Sequence, residues 1–351
     1  GVLSANYYVV NYDILHSWIP YLQAVHSKIV ILDEAHNLRN RKSQRTKAVM
    51  ALCQNVPHVL ALTGTPLSSR PLELWPLLHL LRPDLFSDFW SFALRYCGPV
   101  PIRGRMNLKG ASHLDELHQI LRTSIMIRRR KENVLAELPL KHRAVVPLEL
   151  DEYTEYYATV EKLTLSPDQI QRRTQIGFLK HLIGRRKLPM VIEWIANFLA
   201  GSDNKLIAYT WHRHVLRGLV KAFPGAVSIY GDTSPLQRQK VVQQFQEDPQ
   251  TRLLVGNLHA AGQGLTLTAA SAVVFTELGW TPGEHLQAED RINRIGQNKP
   301  TMCYYLIARH TIEETIWELL GLKQTIVSTV VDGHAMNIFN TLYHSFEGAE
   351  L

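Results

Sequence analysis

Apolar and polar positions along the chain fall into two similar blocks separated by a stretch of different texture. In the first block, KIVIL (28–32) and HVLAL (58–62) are unbroken apolar runs, the pattern of parallel strands covered on both faces. Between them Ser43 to Gln54 repeats apolar residues at helical spacing, and after TGTP a further helix is predicted from about Pro71. From about 84 to 190 the pattern changes. GPVPIRGRMNLKG is turn-rich and basic, and LDELHQILRTSIMIRRRKENVLAEL reads as one helix with a charged end. TEYYATVEKL and FLKHLIGRRKLPMVIEWIANFL read as further helices. Alternation then resumes with strand-like KLIAY (205–209), AVSIY (226–230), TRLLV (251–255), AVVFTE (272–277) and MCYYLIA (302–308). The helical stretches WHRHVLRGLVKAF, PLQRQKVVQQF and TIEETIWELLGLK intervene or follow. QAEDRINRIGQ (287–297) is expected as a short helix, with Ile292 and Ile295 on its apolar face and Arg291 and Arg294 together on another. The prediction is an α/β protein with two parallel-sheet blocks and a helical insertion between them.

Composition narrows this picture only slightly. The chain has 351 residues, 46% hydrophobic and 20% charged, enough apolar content to bury cores and far from a disordered profile. Lys and Arg exceed Asp and Glu by 38 to 31, a basic excess compatible with a nucleic-acid partner. Cys53, Cys97 and Cys303 are far apart, which gives neither a zinc pattern nor a disulfide framework and suits a reducing compartment. The longest apolar region, LELWPLLHLL (72–81), is interrupted by Glu73, Pro76 and His79 and is too short to span a membrane.

Candidate chemistry clusters at the ends of the strands. Asp33-Glu34-Ala35-His36 follows KIVIL directly, and carboxyl ends of parallel strands are where such sheets bind ligands. Asp suits Mg²⁺, a hard cation seeking oxygen, and Glu beside it could orient a water for attack on a phosphoryl group. An acidic pair favouring a helix N-terminus is the alternative. Thr63-Gly64-Thr65-Pro66 follows HVLAL. Its hydroxyls could reach the carboxylates, or Thr63 could simply cap the next helix. Ala261-Gly262-Gln263-Gly264-Leu265-Thr266 is a small-residue loop of the kind that lets backbone N–H groups approach phosphates. Trp280, before a Pro-Gly turn, could stack on a base or fill a half-buried core position. Arg291 and Arg294 could bind phosphate oxygens or form surface ion pairs with Glu289 and Asp290. IMIRRRK (125–131) is either a solvated helix end or an element that contacts phosphate or braces a lobe. No G-x-x-x-x-G-K-[ST] occurs, nor any Gly-Lys pair, so the loop that would cradle the β and γ phosphates is not among these residues.

Taken in order, VVNYDIL (9–15), KIVILDEAH (28–36), LALTGTPLSSRPLELW (60–75), IMIRRRKENVLAELPLK (125–141), LIAYTWH (206–212), YGDTSPLQRQKVVQQF (230–245), AAGQGLTLTAASAVVF (260–275) and QAEDRINRIGQ (287–297) resemble the Swi/Snf-type ATPases of helicase superfamily two. FALRYCGP (92–99), GASHLDELHQIL (110–121) and ELGWTPGEHLQAED (277–290) carry a finer resemblance to the HARP-like annealing helicases of the zinc-finger, Ran-binding-domain type. The resemblance implies two RecA-like lobes, with ATP and Mg²⁺ in the cleft and duplex or forked DNA across both. It implies the C-terminal part of lobe one over 1–140, a helical protrusion and linker over 141–190, lobe two over 191–330 and a tail over 331–351. By the same resemblance Asp33 is the Mg²⁺ partner and Glu34 the water-activating residue. Thr63, Gly64 and Thr65 couple the ATP state to DNA grip, and Gly262, Gly264 and Gln287 lie near nucleotide. Arg291 and Arg294 face the γ-phosphate, while Asn11, Thr266 and Trp280 contact DNA. One departure is Ser271, where the family usually has Asp.

The implied function is an ATP-dependent DNA translocase that remodels forks, working as a monomer, with replication or repair proteins engaged through flanking domains. Its place is intracellular: the nucleus in a eukaryote, the cytoplasm or nucleoid in a bacterium. The absent phosphate loop is expected to lie upstream of residue 1, which would leave the isolated chain inactive. Two readings stay open beside this one, a chromatin-remodeller ATPase and a catalytically silent DNA-binding or scaffold module.

Overall fold

The computed structural model describes residues 5–102, 104–135, 137–164, 169–261, 264–337 and 339. Ten strands are present among them: β1 (Ile29–Leu32), β2 (His58–Ala61), β3 (Val100–Ile102), β4 (Arg105–Asn107), β5 (Lys141–Leu148), β6 (Lys205–Thr210), β7 (Val227–Ile229), β8 (Leu253–Asn257), β9 (Ala270–Phe275) and β10 (Thr301–Ala308). The α/β class with parallel sheets is the one expected from the apolar pattern. The chain divides into two compact units, residues 1–128 with 325–336, and residues 129–324 with 337–351.

In the first unit β1 and β2 pair in parallel, Ile29 opposite His58 through Leu32 opposite Ala61. Helices Leu15–Ala24 and Gln44–Cys53 cover one face, closing a core around Leu22, Leu32, Leu38 and Val49. Ser43 caps the second helix by accepting from the Thr46 amide, as its position before the periodic run predicts. Among the described residues the other face has little cover. Ile29, Ile31, Leu60 and Leu62 are all more than half exposed, so the two runs read as doubly covered strands are covered on one side only. A second core in this unit joins Leu74, Leu78, Phe92, Leu117 and Leu121 to Val330 and Val331 at the end of the helix Ile312–Asp332.

The expected single helix over 114–138 is two pieces, Leu114–Ser124 and Lys131–Val134, with Met126 to Arg130 outside regular structure. Ile125 and Met126 pack on the second core, which pulls the chain off the helical path before the arginines begin. The arginine run is therefore not a helix end.

The second unit is built on a six-stranded parallel sheet in the order β5-β10-β9-β6-β8-β7. Cores on both faces bury its central strands completely: Ile207, Tyr209, Val273 and Phe275 on one, Leu206, Ala208, Val255 and Val274 on the other. β5 lies in a span read as helical. Its sequence KHRAVVPL begins with charges and carries Pro147, which weakens the strand signal, but it is an edge strand paired only with β10, where a missing N–H is tolerated. The stretch 178–199 is broken into helices Gln169–Arg186 and Leu188–Gly201, with Pro189 in the first turn of the second. Lys187 at the break is buried and ion-paired to Glu313 at 2.7 Å.

Candidate functional site

The carboxyl ends of β1 and β2 lie side by side, so the acidic box and the threonine turn meet. The Leu62 amide donates to the Leu32 carbonyl at 2.8 Å, and the Ala35 amide returns to the Leu62 carbonyl at 2.9 Å. Between these bonds the chain makes a sharp reversal, and Glu34 takes a left-handed conformation (φ 47°, ψ 47°). A non-glycine residue held there points to a local constraint. The Glu34 amide donates to the Asp33 carboxylate at 2.9 Å, which fixes the Asp33 side chain. Both carboxylates remain exposed.

A single nitrogen of His36 stands between the Thr63 hydroxyl and the Glu34 carboxylate. His36 Nδ1 lies 3.2 Å from the Glu34 carboxylate and 3.1 Å from the Thr63 hydroxyl. Thr63 Oγ1 also accepts from the Thr65 amide at 3.1 Å. Burial holds the His36 imidazole below its usual pKa; Glu34 pulls it the other way and Arg39 adds to the lowering. The acidic pair does stand at the N-terminus of a short 3-10 helix, Ala35–Leu38, though without a side-chain cap; the helix after TGTP starts only at Pro71, too late for Thr63 to cap it. Tyr12 donates to the Asp33 carbonyl at 2.8 Å, and burial beside Asp33 pushes its pKa up to about 12. The Gly64 carbonyl accepts from Arg128 at 3.4 Å, and Arg128 also pairs with Asp332 at 3.2 Å, so this arginine braces the TGTP turn. Asn11 spends its side-chain oxygen locally, on the Asp13 amide at 3.0 Å.

In the second unit the expected helix over 287–297 stops early. The helix Pro282–Glu289 ends before the arginines, which sit in the turns that follow. Ile292 is fully buried while Ile295 is 77% exposed, so the two do not share a face. The arginines are nonetheless brought together. Arg291 and Arg294 both donate to the Leu265 carbonyl, at 3.1 and 3.4 Å, and Arg294 also donates to the Thr266 hydroxyl at 3.2 Å. Arg291 is buried and Arg294 half-exposed. The loop is stitched to the same segment by the Leu267 amide on the Arg291 carbonyl and by Gln297, whose amide donates to the carbonyls of Thr268, Ala270 and Ile292. Gly264, at φ +69°, makes the turn that brings Leu265 round. Gly262 and Gln263 lie outside the described residues. Gln287 is half-buried on the last turns of the helix.

The neighbouring acids Glu289 and Asp290 are engaged by other cations. Glu289 is fully buried and accepts both guanidinium N–H groups of Arg143 at 2.7 and 2.6 Å, with Lys141 at 3.0 Å and the Tyr305 hydroxyl at 2.9 Å. Burial alone would raise its pKa, but Lys141 and Arg143 outweigh it and hold the carboxyl at about 2. Asp290 pairs with Lys131 at 2.9 Å and Lys141 at 3.1 Å, and Lys131 also donates to the Asn293 carbonyl at 3.0 Å. Sequence reasoning missed this network. Its available signal was two cations at the head of an apolar run, in Lys141 and Arg143.

Trp280 is half-buried, and its ring is covered by a lysine. Lys180 Nζ stands 4.5 Å from the Trp280 ring centre and 4.4 Å from that of Trp211, and donates to the Leu278 carbonyl at 2.7 Å. Burial lowers the Lys180 pKa to about 8. Nearby, buried Glu277 accepts from the amides of Trp211 and His212. Among the described residues no group of three or more His, Cys, Asp or Glu is arranged to hold a metal, and no helix is long and apolar enough to cross a membrane.

Residues 4–189 match the family model for the SNF2-related domain, and residues 187–296 that for the helicase conserved C-terminal domain. The chain is 35% identical over 327 residues to the DNA annealing helicase and endonuclease ZRANB3 of Homo sapiens, covering 89% of this chain and 30% of that protein. It is 33% identical over 325 residues to the SWI/SNF-related matrix-associated actin-dependent regulator of chromatin subfamily A-like protein 1 of Xenopus tropicalis, covering 90% of this chain and 34% of that protein. A solved structure, the Sulfolobus solfataricus SWI2/SNF2 ATPase core in complex with dsDNA, is similar at 26% identity and a TM-score of 0.46, over 96% of this chain and 75% of that one.

Proposed function

This chain belongs to the SNF2-related domain family, and from that premise we propose that it acts as an ATP-dependent DNA translocase that remodels forked or otherwise branched DNA. The observation that carries the reading is His36 Nδ1, shared by the Glu34 carboxylate and the Thr63 hydroxyl, which ties the acidic box to the threonine turn. A group that orients a hydrolytic water is thereby linked to a loop able to move with it.

The exposed oxygens of Asp33 and Glu34 suit Mg²⁺ held with a nucleotide, since a hard cation takes carboxylate and phosphate oxygens together. Bound ATP and Mg²⁺ supply the transferable phosphoryl group and neutralise its charge. Asp33, fixed by the Glu34 amide, holds the metal side of the site, and Glu34 orients the attacking water. Thr63, Gly64 and Thr65 report the state of that carboxylate to the rest of the first unit. Arg291 and Arg294, aimed by the Leu265 carbonyl, would supply positive charge to the phosphoryl oxygens, and Gly264 and Gln287 would contact the nucleotide. Asn11, Thr266 and Trp280 contact DNA, mostly at phosphates, so that tracking along a duplex needs no base reading. The site of action is wherever the DNA is: the nucleus in a eukaryote, the nucleoid in a bacterium.

The test is DNA-stimulated ATP hydrolysis by the full-length protein. Glu34→Gln should abolish it while leaving DNA binding intact. Arg294→Ala should lower turnover by on the order of 10³-fold or more, the effect of losing an arginine finger. Retained turnover in either variant removes the site assignment, and stimulation by RNA but not by duplex or forked DNA removes the substrate. A silent DNA-binding module is the second reading. It requires DNA binding with no hydrolysis in the wild type.

A further inference from the structure

Between the helices Phe89–Tyr96 and Leu114–Ser124 the first unit carries a small antiparallel hairpin, β3–β4, that none of the motifs above uses. Its base is rigid. Gly98 sits at φ +48°, a side chain there would meet the Ala111 amide at 3.0 Å, and one at Gly110 would meet the Gly98 carbonyl at 2.8 Å. Ser112 locks the two arms, accepting from the Gly98 amide at 3.1 Å and donating to the Arg95 carbonyl at 2.7 Å. Beyond that base the hairpin has little cover among the described residues. Val100 (53% exposed), Ile102 and Met106 all face solvent. In the register Ile102 stands opposite Arg105 and Pro101 opposite Met106, so apolar side chains project from both faces with a guanidinium beside them. An isolated two-stranded hairpin is at best marginally stable, so an anchored one with exposed apolar faces needs an occupant to explain them.

Charge decides which occupant. From Phe89 to Leu114 there is no Asp or Glu, while Arg95, Arg103, Arg105 and Lys109 fall in that span. Arg95 is taken by Glu116, whereas the Arg105 side chain makes no ion pair among the described residues. Pro101 lacks an N–H and blunts the β3 edge, which disfavours addition of a partner strand. What remains is a short blade with apolar residues at its faces and cations around them. Apolar side chains of this kind wedge against exposed base pairs, and cations hold the adjoining phosphates.

We propose that the β3–β4 hairpin is a DNA-junction contact, in which the blade enters a branch point with Ile102 on one face and Met106 on the other, each packing against an exposed base, while Arg105 and Lys109 hold the flanking phosphates. The inference rests on the reading of the chain as a DNA-remodelling protein. It gives the chain a surface that tells a branch from a continuous duplex.

The experiment compares binding of this chain, by fluorescence anisotropy over a salt series, to a forked DNA and to a dumbbell duplex closed at both ends by loops. The wild type should prefer the fork. Ile102→Ser with Met106→Ser should erase that preference and leave the salt slope unchanged. Arg105→Ala with Lys109→Ala should reduce the log–log salt slope by about 2 on the fork, the value for two lost phosphate contacts. Thermal unfolding at the wild-type midpoint shows that each pair of exposed substitutions leaves the fold intact. Equal wild-type affinity for both DNAs, or a preference and slope that survive both variants, overturns the junction contact alone. Dimerisation of the wild type that Ile102→Ser with Met106→Ser abolishes also overturns it, in favour of an interface between copies. A wild-type chain that binds neither DNA overturns the functional reading itself.

Discussion

Leu254 and Ile31 are aliphatic residues in the middle of parallel strands, yet Leu254 is fully buried and Ile31 is 60% exposed. The contrast holds across the two units. In the second, the central strands of a six-stranded sheet are covered on both faces, and the arginine segment is knitted to them by buried hydrogen bonds. In the first, two strands are covered on one face, and the acidic pair is held by a backbone reversal and a shared histidine nitrogen, with both carboxylates in solvent. The same local pattern, an unbroken apolar run followed by small and polar residues, has thus produced a rigid mount in one unit and a lightly held one in the other. The difference lies in what surrounds each strand, not in the strand itself.

The largest effect that would sharpen this comparison is expected from Glu289→Gln. Removing one partner of a buried charge cluster typically costs about 3–5 kcal/mol, because Arg143 and Lys141 would remain with half their compensation gone. Urea unfolding, read with hydrogen exchange on β5 and β10, should show the loss in the second unit. The wild type has a matching acid limb. The Glu289 pKa lies below its ordinary value, so its contribution is present above about pH 4.5 and is lost as pH falls toward about 2. No acid limb in the wild type that is missing from the variant would break the assignment.

A paired truncation comes next. Leu254→Ala should cost about 2–5 kcal/mol, as fully buried aliphatic truncations do. Ile31→Ala should cost no more than about 0.5 kcal/mol, the range for surface changes, and should raise the temperature at which light scattering begins. Equal costs would mean that the β1–β2 face is covered in solution.

The smallest effect concerns Lys180. Its pKa is lowered by burial to about 8, so the fold disfavours the charged form, and stability should rise as pH climbs from about 8 toward 10.5. Lys180→Met should flatten that limb, measured as denaturation midpoints at pH 7 and pH 10. A limb unchanged in the variant would place the titration elsewhere.

Much of the fold was legible because parallel strands carry unbroken apolar runs: KLIAY, TRLLV and MCYYLIA each fall on a strand of the large sheet. β5 was not, because an edge strand tolerates the charges and proline that periodicity counts against it. Met126 to Arg130 misled in the opposite way, since helical spacing continues in the letters after the core has already captured Ile125 and Met126. The candidate residues were legible as positions, at the ends of strands. Their partners were not. That His36, not a carboxylate, would meet Thr63, or that one peptide carbonyl would collect two arginines, depends on backbone reversals at Glu34 and Gly264 that no spacing encodes. The exposed β1–β2 face was invisible for a simpler reason. An apolar run states what a strand can be buried in, and says nothing of whether the cover is there.

The Leu265 carbonyl has one more consequence. A peptide oxygen has no proton to lose in the working range of an enzyme, and a guanidinium keeps its own. The clamp on Arg291 and Arg294 is therefore blind to acidity, whereas the link through His36 is not. If ATP is hydrolysed as proposed, an inflection in the rate below the ordinary imidazole range would be the signature of His36, and the arginines would contribute a constant.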